Sequence, residues 1–305
     1  MSNKKILITG ASGYVAAQLI PALKEKYELI LLDLQSKSLD IPNVPKVQTV
    51  DLTELSRDKY EHFFRDVDCV IHLSYKRRKG LGLDDFFVEK ENVNMAYNVF
   101  RSALENKVPR VVMASSNHAA DWYEHNLIHK KEMDMVEPYS LALSDNFYGW
   151  AKATYEHMGF LFANGVVDFN SGDGRESHIK PQHNSQSVEV VMIRIGAPRE
   201  LRLSQYMGDL AEFKRDLGAY LSPRDMCQLV IKSIETPDIR NEYGIPWLVV
   251  YGISDNTRAF WSLGSARRVL GYNPEDDSEV KFASEIHQAF SGASYLDKKG
   301  KLGSL

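Results

Sequence analysis

A tyrosine and a lysine lie four residues apart in the segment Tyr148-Gly149-Trp150-Ala151-Lys152. Within a helix this spacing places both side chains on one face, with roughly 6 Å of axial rise between them. An isolated tyrosine has a pKa of about 10, and a fixed cation nearby favours the phenolate. Tyr148 and Lys152 are therefore candidates for moving a proton off a hydroxyl group as a hydride leaves the adjoining carbon. A simple surface pair is the alternative.

Polar residues follow an apolar run in Val111-Val112-Met113-Ala114-Ser115-Ser116-Asn117-His118. Open α/β sheets bind ligands at the carboxyl ends of their strands, so we expect the Ser116 hydroxyl to hydrogen-bond the reacting oxygen. Asn117 and His118 suit the hydroxyls of a polyol or sugar, and capping of the strand end is their alternative role. His118 has no second histidine at ligand spacing, and we predict no metal site.

A glycine pair stands where the first apolar run gives way to helical periodicity, in Thr9-Gly10-Ala11-Ser12-Gly13-Tyr14-Val15-Ala16. Gly10 allows a sharp turn, Gly13 lets the backbone approach a pyrophosphate, and Ala16 lets the helix pack on the strand. The N-terminus of that helix would hold the phosphates. A bare turn without a ligand is the alternative for this pattern alone.

A carboxylate ends the second apolar run, at Asp33, 23 residues after Gly10. A carboxylate at this place accepts hydrogen bonds from the hydroxyls of an adenine ribose and repels a 2′-phosphate, which favours NAD over NADP. The third run ends in Asp51-Leu52, which we place beside the adenine. A solvated acid at Asp33 and a helix-entry residue at Asp51 are the alternatives.

Short apolar runs alternate with helical periodicity through the first two-thirds of the chain. Such runs are typical of strands buried on both faces of a parallel sheet. The predicted strands are Ile6–Ile8, Leu29–Leu32, Val47–Val50, Cys69–Leu73, Val111–Met113 and Val190–Ile195. The predicted helices between them are Tyr14–Lys24, Leu55–Arg65, Asp84–Glu105 and Asp145–Phe162.

The alternation predicts an α/β fold: a Rossmann-type, doubly wound parallel sheet with a smaller, mostly helical C-terminal substrate lobe. We place the dinucleotide-binding domain at 1–196, with a later strand near 247–252 returning to its sheet, and the lobe at 197–305. Within the lobe, Ser222 and Pro223 are an N-cap and a first helical position, opening a helix to about Glu235. Two more helices are predicted near Ala259–Leu270 and Val280–Phe290.

The composition excludes several classes of function. The 305 residues are 44% apolar and 26% charged, with 37 basic and 41 acidic side chains and a net charge of −4. Such a chain has no basic field for nucleic acid or an anionic membrane. Two cysteines, Cys69 and Cys227, form neither a disulfide framework nor a zinc pattern. We expect a cytoplasmic protein with no membrane or nucleic-acid partner.

Together, the glycine turn, Asp33, Asp51-Leu52, Ser116 and the Tyr148/Lys152 pair resemble the extended short-chain dehydrogenase/reductase superfamily, in its NAD-dependent epimerase/dehydratase branch. The resemblance spans nearly the whole chain. Within that branch, the chain is most similar to uronate and related aldose dehydrogenases, on the segments Ser115–His118, Met192–Gly196, Tyr220–Asp225, Val250–Gly252 and Leu270–Tyr272 with Asn256 and Trp261. Those enzymes oxidise the C1 hemiacetal of a sugar to a lactone with NAD.

The resemblance implies roles for residues that the motifs alone do not assign. It implies Ser116, Tyr148 and Lys152 as the catalytic set. The implied NAD contacts are Gly10, Ser12, Gly13, Tyr14, Val15, Asp33, Asp51, Leu52, Leu73, Ser74, Asn94, Tyr148, Lys152 and Ile195. The implied substrate contacts are Ser74, Tyr75, Ser116, Asn117, His118, Tyr148, Arg199 and Arg202.

Two of these assignments carry explicit alternatives. Asn94, on the long helix, would brace the catalytic lysine through backbone or water, and a helix-surface asparagine is the alternative. The uronate enzymes have a serine after the Arg-Ile-Gly strand, where this chain has Ala197, and an arginine shortly beyond it. Arg199 and Arg202 are the nearest cations and have the fork that a carboxylate or phosphate requires. Solvated surface charge is their alternative role.

We therefore predict a homodimeric NAD-dependent dehydrogenase that oxidises the C1 hydroxyl of an aldose, uronate or sugar phosphate. The cations of Lys76-Arg77-Arg78-Lys79 would steer an anionic substrate, or are simply solvated. A nucleotide-sugar 4-epimerase with tightly bound NAD uses the same serine, tyrosine and lysine and is the alternative enzyme. A non-catalytic, dinucleotide-binding redox sensor is the alternative from another class.

Overall fold

The computed structural model of the chain describes residues 4–35, 39, 41–79, 85–165, 187–206 and 208–291. The predicted helix start at Asp84 and the end of the predicted lobe, after residue 291, lie outside these described residues. Among the helices of the described part, none is long and apolar enough to cross a lipid bilayer.

Seven parallel strands form one sheet in the order β3-β2-β1-β4-β5-β6-β7. The order reverses between β1 and β4, which is where a doubly wound sheet opens a crevice at its carboxyl edge. This confirms the predicted Rossmann-type fold, in which the last strand, β7, pairs with β6. The strands are β1 Lys5–Thr9, β2 Glu28–Asp33, β3 Gln48–Thr49, β4 Cys69–His72, β5 Arg110–Ser116, β6 Glu189–Ile195 and β7 Trp247–Gly252.

Helices cover both faces of the sheet. Successive strand residues point to opposite faces, and residues of both kinds are apolar. One hydrophobic cluster joins α1 and α6 to residues such as Ile6 and Ile8 of β1. The other joins α2 and α4 to residues such as Leu7 of β1. The helices are α1 Tyr14–Leu23, α2 Phe86–Glu105, α3 Asp121–Tyr123, α4 Phe147–Ala163, α5 Leu210–Ala219, α6 Pro223–Glu235, α7 Ser278–Lys281 and α8 Ala283–Ser291.

Three predicted helices differ from the structure because a buried aromatic residue interrupts each of them. The segment Leu55–Arg65 forms two 3-10 turns, Arg57–Lys59 and Glu61–Phe64, which break at buried Tyr60, where φ is −137°. In Ala259–Leu270, Trp261 pairs with Val136 in a β-bridge, and a π-helical turn forms only over Ala266–Leu270. The predicted helix Val280–Phe290 is divided into α7 and α8 at buried Phe282.

The residues after 196 divide their packing between the sheet and a small core of their own. The helix α6 begins as expected, with Ser222 as N-cap and Pro223 in the first turn. Its residues Met226 and Leu229 pack in the cluster that covers the sheet, so α6 belongs to the sheet layer although it lies within the predicted lobe. A separate cluster joins α5 to Tyr206, Tyr220 and Phe282.

A buried ion pair ties α4 to β6. Arg194 donates from Nε and Nη2 to the two carboxylate oxygens of Glu156, at 2.8 and 2.7 Å. Ser115 on β5 donates to Glu156 at 2.7 Å, and Arg194 donates to the Tyr251 hydroxyl on β7 at 2.9 Å. Both charged side chains are almost fully buried, so each depends on the other for compensation.

We predict that Arg194→Met lowers the free energy of unfolding by about 3 kcal/mol or more, because it leaves the Glu156 carboxylate buried without its cation. Urea denaturation followed by circular dichroism measures the change. The double variant Glu156→Gln/Arg194→Met should recover most of the loss, because it removes both charges. Arg240→Met, which breaks the exposed pair with Asp238, is the control and should leave the midpoint nearly unchanged. If Arg194→Met were at least as stable as the double variant, the prediction would be wrong.

Candidate active site

The glycine turn after β1 approaches the chain that follows β4 very closely. Gly10 has a φ of +70°, and a Cβ there would lie 2.6 Å from the backbone N of Ser74. Gly13 is the N-cap of α1 and has no side chain to occupy the helix N-terminus. The first turn of α1 therefore presents free backbone N–H groups to the crevice, in the arrangement that binds phosphate groups.

Two carboxylates stand at the ends of β2 and β3. Asp33 accepts a hydrogen bond from the Ser12 backbone N at 2.9 Å, which ties the strand end to the glycine turn. Asp51 accepts from both the backbone N and the hydroxyl of Thr53, at 2.9 and 2.7 Å. Asp51 thus shapes its own turn, while Asp33 keeps a partly exposed carboxylate at the mouth of the crevice.

A cleft of about 1250 Å³ runs along the carboxyl edge of the sheet from the glycine turn to α5. It brings together the predicted site residues Gly10, Ser12, Gly13, Tyr14, Val15, Asp33, Asp51, Leu52, Leu73, Ser74, Tyr75, Ser116, Asn117, His118, Tyr148, Lys152, Ile195 and Arg199. A glycine-lined end and an end rich in hydroxyl, imidazole and charged groups therefore share one continuous space.

The structure does not bring Asn94 and Arg202 to this cleft. Asn94 lies on the exposed side of α2. Two positions earlier the helix has turned by about 200°, and Asn92 is buried there, donating to the Lys76 carbonyl at 3.0 Å and accepting from the Lys76 backbone N at 2.7 Å. Asn92 thus fixes the chain after β4. Arg202 is exposed, and its side chain does not line the cleft.

The three predicted catalytic residues meet at the end of β5. Ser116 and Tyr148 line the same cleft, and the Ser116 hydroxyl donates to the Asn117 Oδ1 at 3.3 Å. The Lys152 Nζ donates to the Ala114 carbonyl at 3.0 Å and lies 5.8 Å from the centre of the Tyr148 ring. Burial lowers the pKa of Lys152 to about 8, against the opposing influence of the carboxylates Glu89 and Glu156.

The phenol of Tyr148 is not made acidic by this arrangement alone, contrary to the expectation from sequence. Burial raises the pKa of Tyr148 above its usual value, and the carboxylate of Glu89 adds to the rise. The Ser116 side chain and the charge of Arg78 act in the opposite direction without reversing it. The reason is that desolvation of the phenolate outweighs the nearby cations.

Gly149 is a further residue of the site, which the sequence motifs did not indicate. A Cβ there would lie 2.0 Å from the His118 carbonyl oxygen and 2.1 Å from the Ser144 hydroxyl. Its absence lets the first turn of α4 approach the end of β5, which sets how closely Tyr148 comes to Ser116. The signal in the sequence was a glycine inside a helix, where it costs stability.

Asp121 was also missed, and it orients His118. Its carboxylate is paired with the His118 Nδ1 at 2.8 Å and accepts from the Asn146 side chain at 2.8 Å. Burial opposes ionisation of Asp121, yet the hydrogen bonds and charge of these neighbours hold the pKa of its carboxyl below the usual value. The His118 ring lies edge-on to the Tyr148 ring, 5.5 Å away.

The far wall of the cleft comes from residues after 196. Arg199 is ion-paired with Asp216, and its side chain remains half exposed. Arg215, which the sequence did not single out, forms a two-pronged pair with Glu124 at 2.8 and 3.2 Å. Both guanidinium groups thus reach the cleft with a carboxylate partner already bound. Only the tertiary structure places Arg215 here, because α5 is distant in sequence from the strand ends.

Residues 6–165, more than half of the chain, match the model of the NAD dependent epimerase/dehydratase family. The chain belongs to this family. The match confirms the predicted family and, with it, NAD as the cofactor. The cleft fits that cofactor, since the glycine turn leaves a cradle that a Cβ would fill and Asp33 lines the same cleft with a carboxylate that can accept hydrogen bonds from hydroxyl groups.

Curated relatives of this family align along nearly the full chain. An NAD-dependent glucose-6-phosphate dehydrogenase of Haloferax volcanii is 29% identical over 93% of this chain and 98% of its own length. A uronate dehydrogenase of Pseudomonas syringae pv. tomato is 25% identical over 90% of this chain and 83% of its own length. The predicted enzyme class, an NAD-dependent dehydrogenase, agrees with the name of the first relative, and the second is also named a dehydrogenase.

Solved structures of the family share the fold. A glucuronic acid dehydrogenase from Chromohalobacter salexigens superposes with a TM-score of 0.68 and 24% identity, covering 93% of this chain and 89% of that one. A UDP-galactose 4-epimerase superposes with a TM-score of 0.62 and 17% identity, covering 93% and 99%. The fold shared with these structures thus extends beyond residue 165.

We predict that Gly10→Ala weakens NADH binding by tenfold or more, equivalent to about 1.4 kcal/mol. The added Cβ would collide with the backbone of Ser74 and displace the turn. Gly244→Ala is the matched control, because Gly244 has a similar φ of +76° but open space around it. That control should lose only the conformational cost of about 1 to 2 kcal/mol in stability and bind NADH normally. Titration of NADH fluorescence measures both, and equal affinities would contradict the predicted collision.

Proposed function

We propose that the protein is an NAD-dependent dehydrogenase that oxidises the C1 hydroxyl of an aldose, uronate or sugar phosphate to the lactone. The observation that carries the proposal is that Ser116, Tyr148 and Lys152 line the same cleft as the glycine turn. Oxidation of a carbinol requires a hydride acceptor and a proton acceptor that both contact the same carbinol group. This cleft has room for the first and residues for the second.

The glycine turn and the strand ends would hold the cofactor. Backbone N–H groups of the first turn of α1 suit the pyrophosphate, and Asp33 suits the ribose hydroxyls. When bound, NAD supplies the acceptor for the hydride that leaves the carbinol carbon. Lys152 has a buried ammonium held by the Ala114 carbonyl, from which it can donate a further hydrogen bond into the cleft.

Tyr148 would take the proton. Its hydroxyl oxygen accepts the proton of the substrate hydroxyl as the C–H bond breaks, and Ser116 holds the same substrate oxygen by a hydrogen bond. The phenol must have lost its own proton first. Ser116 and Arg78 favour that loss, while burial opposes it.

Polar groups around Tyr148 suit a substrate with several hydroxyls. Among the described residues, the Nδ2 of Asn117 is buried without a hydrogen-bond partner, which is costly unless a ligand accepts from it. Ser74, Tyr75 and His118 line the same space. The relatives named above, and an L-arabinose 1-dehydrogenase of Haloferax volcanii that is 25% identical over 90% of this chain, support a sugar.

The part of the chain after residue 196 would bind the far end of the substrate. It supplies Arg199 and Arg215, whose guanidinium groups suit a carboxylate or phosphate. Each is already paired with a carboxylate, so an anionic substituent would have to compete with Asp216 or Glu124. Arg202 has no part in this proposal, because it does not line the cleft.

The experiment that tests the proposal follows NADH absorbance while aldoses, uronic acids and sugar phosphates are offered with NAD or NADP. Formation of NADH together with a lactone, detected by mass spectrometry, is the expected result. Isomerised sugar without net reduction would instead support the 4-epimerase. NAD binding without turnover on every substrate of the panel would support the redox sensor.

We predict that Tyr148→Phe lowers kcat/KM by roughly 100-fold to 10,000-fold while NAD affinity stays within about twofold. The variant removes the hydroxyl that accepts the proton and keeps the ring that packs against His118. Initial rates with the best substrate of the panel and calorimetric titration of NAD measure the two effects. Trp150→Phe, on the outer side of the same helix turn, is the control and should retain activity. Equal rates for Tyr148→Phe and the unchanged protein would exclude Tyr148 as the proton acceptor.

We also propose a homodimer that buries the starts of α2 and α4. Phe86, Phe87, Phe147 and Trp150 form a continuous aromatic surface there, and all four are at least partly exposed. The side chain of Phe87 is the most open, at 77% exposure. An exposed aromatic cluster of this kind is typical of an interaction site.

We predict that Phe87→Glu converts the dimer to a monomer, because a carboxylate would have to be desolvated at the interface. Light scattering coupled to size-exclusion chromatography measures the mass. Leu55→Glu is the control, because Leu55 is 91% exposed and lies away from the aromatic surface. A protein that is monomeric before substitution, or dimeric after it, would exclude this interface.

A further inference from the structure

The proposed reaction does not use one fully buried carboxylate close to the catalytic residues. Glu89 on α2 has no exposed surface. The Tyr75 hydroxyl donates to its Oε1 at 2.5 Å, and the Asn92 side chain donates to its Oε2 at 3.3 Å. The Arg78 Nε lies 3.8 Å from Oε1. A buried carboxylate is costly unless charges and hydrogen bonds compensate it, so its placement points to an electrostatic role.

The residues that hold Glu89 are also those that surround the Tyr148 ring. The Tyr75 ring meets the Tyr148 ring edge to face, with centres 5.4 Å apart. The Arg78 guanidinium lies 5.4 Å from the centre of the Tyr148 ring. The Tyr75 ring also faces the Lys152 Nζ, at 5.4 Å from the ring centre. Glu89 is therefore connected to both catalytic side chains through direct neighbours.

We propose that Glu89 is a positioning residue, which keeps Lys152 in its charged form and, through Tyr75 and Arg78, fixes the ring of Tyr148. The catalytic meaning of this inference rests on the proposed function. The electrostatic coupling itself does not, because it is a property of the protein without substrate.

The other groups around Lys152 leave Glu89 as its main counter-charge. Glu156, one helical turn further along α4, is already bound on both oxygens by Arg194. His72, facing from β4, is neutral near physiological pH because burial, aided by the charge of Lys152, lowers its pKa to about 3. The neighbouring phenols of Tyr75 and Tyr155 are also neutral, because burial raises their pKa values.

The same carboxylate has a cost for Tyr148, and Arg78 offsets it. The charge of Glu89 opposes ionisation of the phenol, as does that of Asp121, while Arg78 favours it. Asp121 is itself paired with His118 and Asn146. The pair of Glu89 and Arg78 thus supplies a negative charge for the lysine and a positive charge for the tyrosine.

The test measures the protonation of Lys152 directly. The protein is labelled with 13C at the lysine ε-carbons, and the Lys152 signal is assigned with Lys152→Met. Its chemical shift is followed from pH 6 to 11 without substrate. The unchanged protein should show a midpoint at about 8, and Glu89→Gln, which keeps the shape and removes the charge, should lower it by roughly one pH unit.

Two further variants separate electrostatics from loss of structure. Arg78→Gln removes the cation that competes for Glu89, so it should raise the Lys152 midpoint, and general loosening of the site would not move the two variants in opposite directions. Glu91 lies on the same helix as Glu89, and its exposed carboxylate is paired with Lys76. Glu91→Gln removes this carboxylate and should leave the midpoint unchanged. A midpoint that stays in place in Glu89→Gln, or, if that variant does not fold, one that stays or falls in Arg78→Gln, overturns the proposal.

The pH dependence of kcat/KM then connects the coupling to catalysis. The alkaline limb, where Lys152 loses its proton, should move to lower pH in Glu89→Gln by the same amount as the spectroscopic midpoint. A midpoint that moves while the limb stays in place would leave the coupling intact and contradict the proposed function of Lys152. The two failures are therefore distinguishable.

Discussion

The close packing of α4 against the end of β5 is the constraint on which the site depends. The Lys152 Nζ donates a hydrogen bond across this junction to the Ala114 carbonyl. Gly149 lets the helix approach the His118 carbonyl so closely that a Cβ at this position would collide with it. One helical turn further on, the Glu156 carboxylate accepts hydrogen bonds from Ser115 and Arg194. The helix is thus fixed at three levels, and the tyrosine at its start has a defined position relative to the strand end.

This packing creates an electrostatic conflict, because it buries an ammonium and a phenol together. Burial lowers the pKa of Lys152 and raises the pKa of Tyr148. Both shifts favour the neutral forms, whereas proton transfer needs the charged ones. Two charged side chains lie just outside the pair. Glu89 is on the side of Lys152, and the Arg78 guanidinium lies by the ring of Tyr148. The reactivity of the pair is therefore a property of its neighbours as much as of its own spacing.

The two ends of the cleft differ in how they are built. The end that fits the cofactor consists of strand ends and a glycine turn, all within one sheet, so its shape follows from the sheet order. The opposite wall is assembled from α5 and from the helical turns after β5, with Glu124 paired to Arg215 across them. In the proposed function, substrate choice would depend on these segments, which are joined by ion pairs between residues distant along the chain.

The sequence by itself determined the family, the parallel sheet and the residues that follow its strands, because apolar runs and a glycine turn report local structure. It named Tyr148 and Lys152 by their spacing on one face of a helix and Ser116 by its place at a strand end, and the resemblance joined the three into one set. It could not distinguish Asn92 from Asn94, because a shift of two residues along the helix decides which side chain is buried. Nor could it assign Asp121, Glu89 or Arg215, because their roles come from partners distant along the chain. Only the tertiary structure decided these, and the sign of the pKa shift at Tyr148, since desolvation depends on everything that surrounds a group.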